Sequence, residues 1–246
     1  MIISAKTDVG ILRKNNQDYC LAGEFEDGVT WAVVCDGMGG ANGGNIASES
    51  AAKTVADKLN GGYHKAMNDN SIKHLILTSI EAANATVFSK SKFDDTLKGM
   101  GTTIVLAIIK NSSLYIANVG DSRIYVVTSN SINQLTTDHS VVQLMIDRGE
   151  ITPEEAKEHP QRNVITRALG VEESVRIDFC QEVFNDDDIV LLCSDGLTNY
   201  VDNTTIFNLC NTSDSYSLAD VLVDKANENG GGDNITVVTV TERERR

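Results

Sequence analysis

The stretch WAVVCDGMGG (residues 31–40) joins an apolar run to an aspartate and then to glycines. Such an apolar run is typical of a buried strand, and Asp-Gly between apolar runs is a common turn signal. The same pattern returns in LLCSDG (residues 191–196), and IANVGD (residues 116–121) is a close variant. One strand that ends in Asp indicates a turn. Three such strands indicate that several strand ends converge on a positively charged group.

The composition limits the possible partners. The chain has 246 residues, with 21 Lys and Arg against 35 Asp and Glu, and therefore a formal net charge of −14. Nucleic acids and anionic membranes are bound by clustered cations, so we expect neither as a partner. A hard divalent cation prefers carboxylate oxygen, and this balance suits one. The sequence also lacks a run of ~18 apolar residues, the length needed to span a membrane.

The cysteines indicate the cellular compartment, and the scarcity of prolines and linkers indicates the domain organisation. The chain has five cysteines without a CxxC pair, which is typical of a reducing compartment, and we predict a cytoplasmic protein. It has only two prolines and no low-complexity segment that would act as a linker. We therefore expect residues 1–246 to form a single domain.

The apolar pattern predicts interleaved strands and helices. Two β-rich runs with a short polar break at 110–113 indicate a hairpin, which the run at 123–128 continues as a meander. Hairpins between helix pairs favour antiparallel sheets with helices on their outer faces, an α+β fold. The alternative is a doubly wound parallel sheet, which the hairpin argues against. The predicted strands are 29–35, 102–109, 114–119, 123–128, 175–183, 188–193 and 235–240, and the predicted helices are 45–59, 71–89, 203–210 and 217–229, with a broken helix over 139–158.

The aspartates at the predicted strand ends favour a site for two metal ions. A two-metal hydrolase holds its ions about 3.5–4 Å apart, so carboxylates from several segments must surround them. A glycine beside a carboxylate lets backbone oxygen approach closely, since it has no side chain. Asp36, Asp195 and Asp233 each have a glycine neighbour. Each of them alone is compatible with a turn, but together they favour a metal site.

Seven stretches of the sequence resemble the motifs of the metal-dependent serine/threonine phosphatases of type 2C, the PPM family, and especially its stand-alone bacterial members. They occur in the same order as in the family. They extend through nearly the whole chain. This resemblance implies a four-layer α/β/β/α fold, with helix pairs flanking a central antiparallel β-sandwich and a metal cleft at one end of it. The stretches are TDVGILRKNNQD (7–18), VCDGMGG (34–40), MGTT (100–103), NVGDSR (118–123), LTTDHS (135–140), CSDGL (193–197) and GDNIT (232–236).

The resemblance also implies metal ligands. Asp36 would bridge two Mn²⁺ or Mg²⁺ ions, and the carbonyl of Gly37 would help to hold one of them. Asp195 and Asp233 would hold the other ion. Asp121, together with Asp195, would form a third and weaker metal site.

Two further residues receive catalytic roles from the resemblance. Asp18 would orient metal-bound water from outside the ligand shell. Arg13 would bind the substrate phosphate, because a guanidinium fork matches two phosphate oxygens. The implied reaction is hydrolysis of phosphoserine and phosphothreonine in proteins, by direct attack of a hydroxide that bridges the two ions. The implied partners are phosphorylated proteins and an opposing bacterial Ser/Thr kinase, and the implied oligomeric state is a monomer.

The sequence departs from the family pattern beside the first Asp-Gly pair. Eukaryotic relatives carry a His just after this pair, a candidate acid for the leaving group, whereas this chain has Met38. We therefore expect water on a metal to protonate the leaving group. Residues of about 141–166 correspond to the mobile flap of bacterial members, and we expect a structural role for His139.

Two other classes of protein compete with this interpretation. A haloacid-dehalogenase-type phosphatase has its nucleophile two residues before the Asp of the Asp-Gly pair, and those positions are Val34 and Cys193. Neither side chain can serve as an aspartyl nucleophile. A pseudophosphatase, which binds partners without catalysis, would be expected to lack a metal-binding Asp or the phosphate-binding Arg. This chain retains all of them: Arg13, Asp36, Asp195 and Asp233.

Overall fold

The computed structural model of the protein describes residues 1–242 and 244. Its strands are β1 (Ile2–Asp8), β2 (Asp18–Glu24), β3 (Thr30–Met38), β4 (Gly101–Thr102), β5 (Ile104–Lys110), β6 (Ser113–Val119), β7 (Arg123–Val127), β8 (Ile132–Gln134), β9 (Asp178–Val183), β10 (Ile189–Cys193) and β11 (Ile235–Thr241). Its α-helices are α1 (Gly40–Gly62), α2 (Asp69–Phe93), α3 (Val141–Asp147), α4 (Pro153–Glu158), α5 (Asp195–Thr198), α6 (Asn203–Thr212) and α7 (Leu218–Glu228).

The strands form two antiparallel sheets. The first has the order β1-β11-β10-β7-β8, and the second has the order β2-β3-β5-β6-β9, with β4 paired to the end of β3. The helices α1 and α2 cover the outer face of the second sheet, and α5, α6 and α7 cover the outer face of the first. A third apolar cluster lies between the sheets. The result is a four-layer α/β/β/α arrangement around a β-sandwich.

The strand β3 is buried on both of its faces. Ala32 and Val34 belong to the core between the sheets, whereas Val33 and Cys35 pack in the cluster beneath α1 and α2. Successive side chains of a strand point to opposite faces, so a strand in the middle of four layers needs apolar residues at every position. This is why residues 31–35 form an unbroken apolar run.

The predicted fold class is confirmed, and one predicted connection is wrong. The hairpin of β5 and β6 forms as expected, with Lys110 opposite Ser113. The strand β7, however, does not continue this hairpin as a meander. It pairs with β10 and β8 in the other sheet. The chain passes from one sheet to the other at Gly120, whose φ of 108° lies in the region that favours glycine.

Some elements were absent from the sequence-based prediction. No strand was predicted for β1, β2 or β8, and no helix for α5. The strand β2 explains why: apart from Asp18 its residues are half-buried or exposed, so its sequence lacks a clear alternation of apolar and polar residues. The helices α1 and α2 also extend beyond their predicted ends at both termini.

The core beneath α1 and α2 should dominate the stability of this half of the molecule. Leu106 on β5 is fully buried there. We expect Leu106→Ala to lower the free energy of unfolding by about 2–5 kcal/mol, because it leaves a cavity in a close-packed interior. Urea denaturation followed by circular dichroism measures this difference. Val183→Ala on β9 is the matched control, since Val183 is 69% exposed. An equal loss in both variants would contradict the assignment of this core.

Candidate functional site

One end of the sandwich carries a cavity where loops and strand ends from both sheets meet. Its volume is about 560 Å³. Six of the seven residues predicted to form the site line it, and Asp18 lies next to it as the cross-strand partner of Asp36. The six residues come from distant parts of the chain: Arg13, Asp36, Gly37, Asp121, Asp195 and Asp233.

The antiparallel pairing explains why these residues meet. The strand β10 runs toward Asp195 and β11 runs away from Asp233, and the two are neighbours with Cys193 opposite Val237. The carboxyl end of one strand therefore adjoins the amino end of the next. In the second sheet, Asp36 near the end of β3 adjoins the start of β2.

Asp18 is a buried carboxyl group with unusual electrostatics. Its side chain accepts a hydrogen bond from the Ser194 hydroxyl at 2.7 Å, on Oδ2, and its Oδ1 has no hydrogen-bond partner. Burial raises the pKa of Asp18 to about 7, and the nearby charges of Asp195 and Asp233 add to the rise, although the hydroxyls of Ser194 and Thr236 oppose it. A buried oxygen without a partner is costly unless a ligand or water satisfies it.

Asp36 faces the cavity and its backbone is held firmly. Its N–H donates to Thr103 Oγ1 at 2.9 Å, and its carbonyl accepts from Thr102 Oγ1 at 2.9 Å and from the Thr103 N–H at 2.8 Å. Burial raises the pKa of Asp36 well above its usual range, and neighbouring carboxylates, with Asp18 the strongest, raise it further. The stretch MGTT thus fixes the position of this aspartate.

Gly37 lies in a crowded part of the backbone. Its N–H donates to the Gln17 carbonyl at 3.0 Å, and a Cβ at this position would clash with the carbonyl oxygens of Gln17 and Gly44. Only glycine lets these three backbone segments approach so closely. The Asp-Gly pair is therefore required for packing as well as for placing Asp36.

Asp195 and Asp121 extend the carboxylate cluster. Asp195 opens α5 and accepts a hydrogen bond from Asn199 at 3.0 Å. Burial raises the pKa of Asp195, and the charge of Asp233 is the next largest cause. Burial also raises the pKa of Asp121 to about 8, with the charge of Asp195 adding to the rise.

His139 holds the corner that precedes Asp121. Its backbone N–H donates to the Gly120 carbonyl at 2.9 Å, and its ring Nδ1 accepts from the Gly120 N–H at 3.0 Å. The other ring nitrogen lies 3.2 Å from Asp178 Oδ2. The ring is buried among these groups, which supports the structural role expected from the sequence.

Asp233 is the carboxylate of the cluster that contacts a cation directly. Its Oδ2 accepts from Arg13 Nη2 at 2.9 Å, and its Oδ1 accepts from the Asn234 N–H at 2.9 Å. Arg13 also donates from Nε to the Gly232 carbonyl at 3.4 Å. Arg13 thus lies at the cavity, paired with one of the predicted metal ligands, and half of its side chain is exposed.

The set of donors fits hard divalent cations. Burial raises the pKa values of several carboxyl groups here, and the charges of neighbouring carboxylates raise them further. Mg²⁺ and Mn²⁺ prefer oxygen ligands. No three acidic, imidazole or thiol side chains of residues 1–242 and 244 are clustered so as to hold an ion alone. Mg²⁺ usually keeps several waters and binds through one or two carboxylates, which is compatible with this arrangement. The orphaned Oδ1 of Asp18 is a buried acceptor for such water.

Sequence reasoning assigned no role to Asn234, which organises the cavity. Asn234 accepts from the Gln17 N–H at 2.8 Å and donates to the carbonyls of Val9 and Asn15, so it fixes the loop that carries Arg13. Its place in the stretch GDNIT was the available signal. The expected flap region contributes Asn163 and Ile165 to the lining, and Met38 lines the cavity too.

The helices also bear on whether the chain crosses a membrane. In the part of the chain that the structure describes, none of them combines the length and the apolar character of a membrane-spanning helix.

Known proteins resemble this chain over nearly its whole length. The family of protein phosphatase 2C matches residues 13–224. Protein phosphatase PhpP of Streptococcus pneumoniae is 42% identical over 248 residues, which cover 99% of this chain and 98% of the relative. Both chains are thus aligned almost from end to end.

Solved structures of bacterial phosphatases also match this chain over nearly its whole length. The serine/threonine phosphatase of S. agalactiae superposes with a TM-score of 0.90 at 37% identity, covering 98% of this chain and 99% of that one. The catalytic domain of the phosphatase PstP, solved with two manganese ions, gives a TM-score of 0.84 at 30% identity, covering 96% of each chain. The chain therefore belongs to the protein phosphatase 2C family, and it is a serine/threonine protein phosphatase of that type.

Proposed function

We propose that the protein hydrolyses phosphoserine and phosphothreonine in proteins with two Mn²⁺ or Mg²⁺ ions. The groups that would hold the two ions are Asp36, the Gly37 carbonyl, Asp195 and Asp233. The observation that carries this proposal is the convergence of strand-end carboxylates on one cavity, where burial raises the pKa of Asp36 and Asp195. The two manganese ions in the PstP structure support the choice of metal.

Bound at this cluster, two divalent cations would neutralise the phosphate dianion and lower the pKa of water, so that hydroxide could attack phosphorus directly. Asp18, buried beside Asp36, would orient that water through its Oδ1, which has no other hydrogen-bond partner. Its Oδ2 is anchored by Ser194, which keeps the carboxyl group in one orientation. Asp121 and Asp195 would form a third and weaker ion site.

Arg13 would bind the phosphate of the substrate. Its guanidinium lines the cavity beside Asp233, at a contact of 2.9 Å, so it lies next to the proposed ions. A guanidinium carries five N–H donors, of which the contacts to Asp233 and Gly232 use only part. The remaining donors could bind phosphate oxygens on the open side.

The proposal extends to the cellular setting. We propose that residues 1–246 form one catalytic domain that acts as a cytoplasmic monomer on phosphorylated proteins and opposes a bacterial Ser/Thr kinase. The absence of a linker in the sequence and the match over residues 13–224 support the single domain. The streptococcal relatives support the bacterial setting.

The first test measures phosphate release from a phosphothreonine peptide. We expect turnover with Mn²⁺ and its loss on addition of EDTA, because the carboxylate cluster alone has no strong nucleophile. Restoring Mn²⁺ in excess should restore the rate. Hydrolysis that persists after EDTA and dialysis would contradict a metal-dependent reaction.

A second test concerns the bridging carboxylate. We expect Asp36→Asn to lower kcat by at least ~100-fold, since even outer partners of a metal site cost 10–100-fold. Without divalent cations its melting temperature should exceed that of the unsubstituted protein, because one of several mutually repelling buried charges is gone. The rise in melting temperature caused by Mn²⁺ should shrink. Differential scanning fluorimetry measures both, and Asp57→Asn on the exposed face of α1 is the control. A full response to Mn²⁺ in Asp36→Asn would refute the ligand assignment.

A third test distinguishes between two roles of Arg13, binding of the substrate phosphate and an effect through Asp233. If Arg13 binds the substrate phosphate, Arg13→Ala should raise KM for a phosphopeptide by roughly 10-fold or more, the value of a charged hydrogen bond. If Arg13 acts only through Asp233, the Mn²⁺ dependence would change while KM stayed the same. Steady-state kinetics across Mn²⁺ concentrations distinguishes these results. Arg176→Ala is the control, since that side chain is 81% exposed.

A further inference from the structure

Two exposed aliphatic side chains directly precede a residue that lines the cavity. Leu12 is 73% exposed and Ile11 is 63% exposed, and both directly precede Arg13, which lines the cavity. We call this pair the apolar rim. Isolated exposed apolar residues are common on protein surfaces and need no explanation. Two adjacent ones beside a substrate cavity are a different case, because exposed apolar groups that cluster often mark contact sites.

The apolar rim is held rigidly by backbone hydrogen bonds. The N–H of Ile11 donates to the Gly231 carbonyl at 2.7 Å, and that of Leu12 donates to the same oxygen at 3.3 Å. Asn234 holds the loop on both sides of the rim through the carbonyls of Val9 and Asn15. A rigid surface loses little conformational entropy on binding, so its exposed apolar area is available for recognition.

The rim lies close to residues of the cavity both along the chain and in space. The side chain of Leu12 lies beside Gly232, which directly precedes the cavity residue Asp233. Consecutive Cα atoms are about 3.8 Å apart, so Leu12 and Ile11 are one and two residue spacings from Arg13 along the chain. The residues that flank a phosphorylated residue are likewise one or two such spacings from it, so a substrate bound at Arg13 would have them within reach of this loop.

We infer that the apolar rim is a docking surface for protein substrates that carry an aliphatic side chain next to the phosphorylated residue. The inference rests on the proposed function, because it assumes that the phosphate enters the cavity beside Arg13. Burial of the substrate side chain against Leu12 and Ile11 removes apolar surface from water on both partners. Most residues that line the cavity are charged or polar, and the rim adds exposed aliphatic surface beside them.

The test uses two phosphothreonine peptides that differ only in the residues flanking the phosphothreonine, which are Leu in one and Ser in the other. We expect kcat/KM to favour the Leu peptide by roughly 10-fold, the order of selectivity that an apolar pocket provides. In the double variant Ile11→Ser with Leu12→Ser, this ratio should fall close to one. Phe93→Ser, which changes an 86% exposed residue at the end of α2, is the matched control and should keep the ratio.

The outcomes are separable. No preference in the unsubstituted protein, or a preference that survives in the double variant, overturns the inference. p-Nitrophenyl phosphate has no flanking residues, so its hydrolysis should fall less in the double variant than hydrolysis of the Leu peptide. An equal fall on both substrates overturns the inference too, since it would mean that the rim only supports the Arg13 loop. Failure of the proposed function looks different, because neither the peptides nor p-nitrophenyl phosphate would be hydrolysed.

Discussion

The repulsion among buried carboxylates is the constraint on which the rest of the site depends. Asp18, Asp36, Asp121 and Asp195 each lose hydration on folding and each feel at least one other negative charge nearby. Their raised pKa values mean that the folded chain binds protons more tightly than the unfolded chain. The stability that these groups contribute is therefore fully present below about pH 4, the ordinary pKa of Asp. It is lost as the pH rises through about 7 and 8, the pKa values of Asp18 and Asp121. Cations bound at such a cluster would compensate the repulsion among its carboxylates.

Neutral groups hold the backbone around the carboxylate cluster. Thr103 holds Asp36 by its hydroxyl and its N–H, and His139 holds the Gly120 corner in the same two-sided way. Asn234 accepts from one loop residue and donates to two others. These contacts position the carboxylates without neutralising their charge, so the charge remains available for a bound metal ion.

Arg13 connects the carboxylate cluster, which would bind metal ions, with the loop that would recognise the substrate. Its contact with Asp233 brings a cation to the edge of the carboxylate cluster, and its own loop is fixed by Asn234 and Gly231. The same loop presents Leu12 to solvent. Charge for the phosphate and apolar surface for the surrounding polypeptide thus lie on one short, rigid segment, which would let a protein substrate be recognised by both at once.

The sequence by itself determined much of this. The run from Trp31 to Asp36 predicted a buried strand that ends in a carboxylate, because strand periodicity and the Asp-Gly signal are local. The family and the α+β fold class also followed from the sequence and are confirmed. The roles of individual residues in binding metal and phosphate remain predictions.

Only the tertiary structure decided which segments meet. It pairs β7 with β10 instead of β6, sets Asp18 directly across from Asp36, and joins Arg13 to Asp233 over 220 positions of sequence. The pattern of apolar residues along a chain fixes the face that a strand buries, but it does not name the strand that lies beside it. Pairing depends on how all layers pack together, and that is a property of the whole fold.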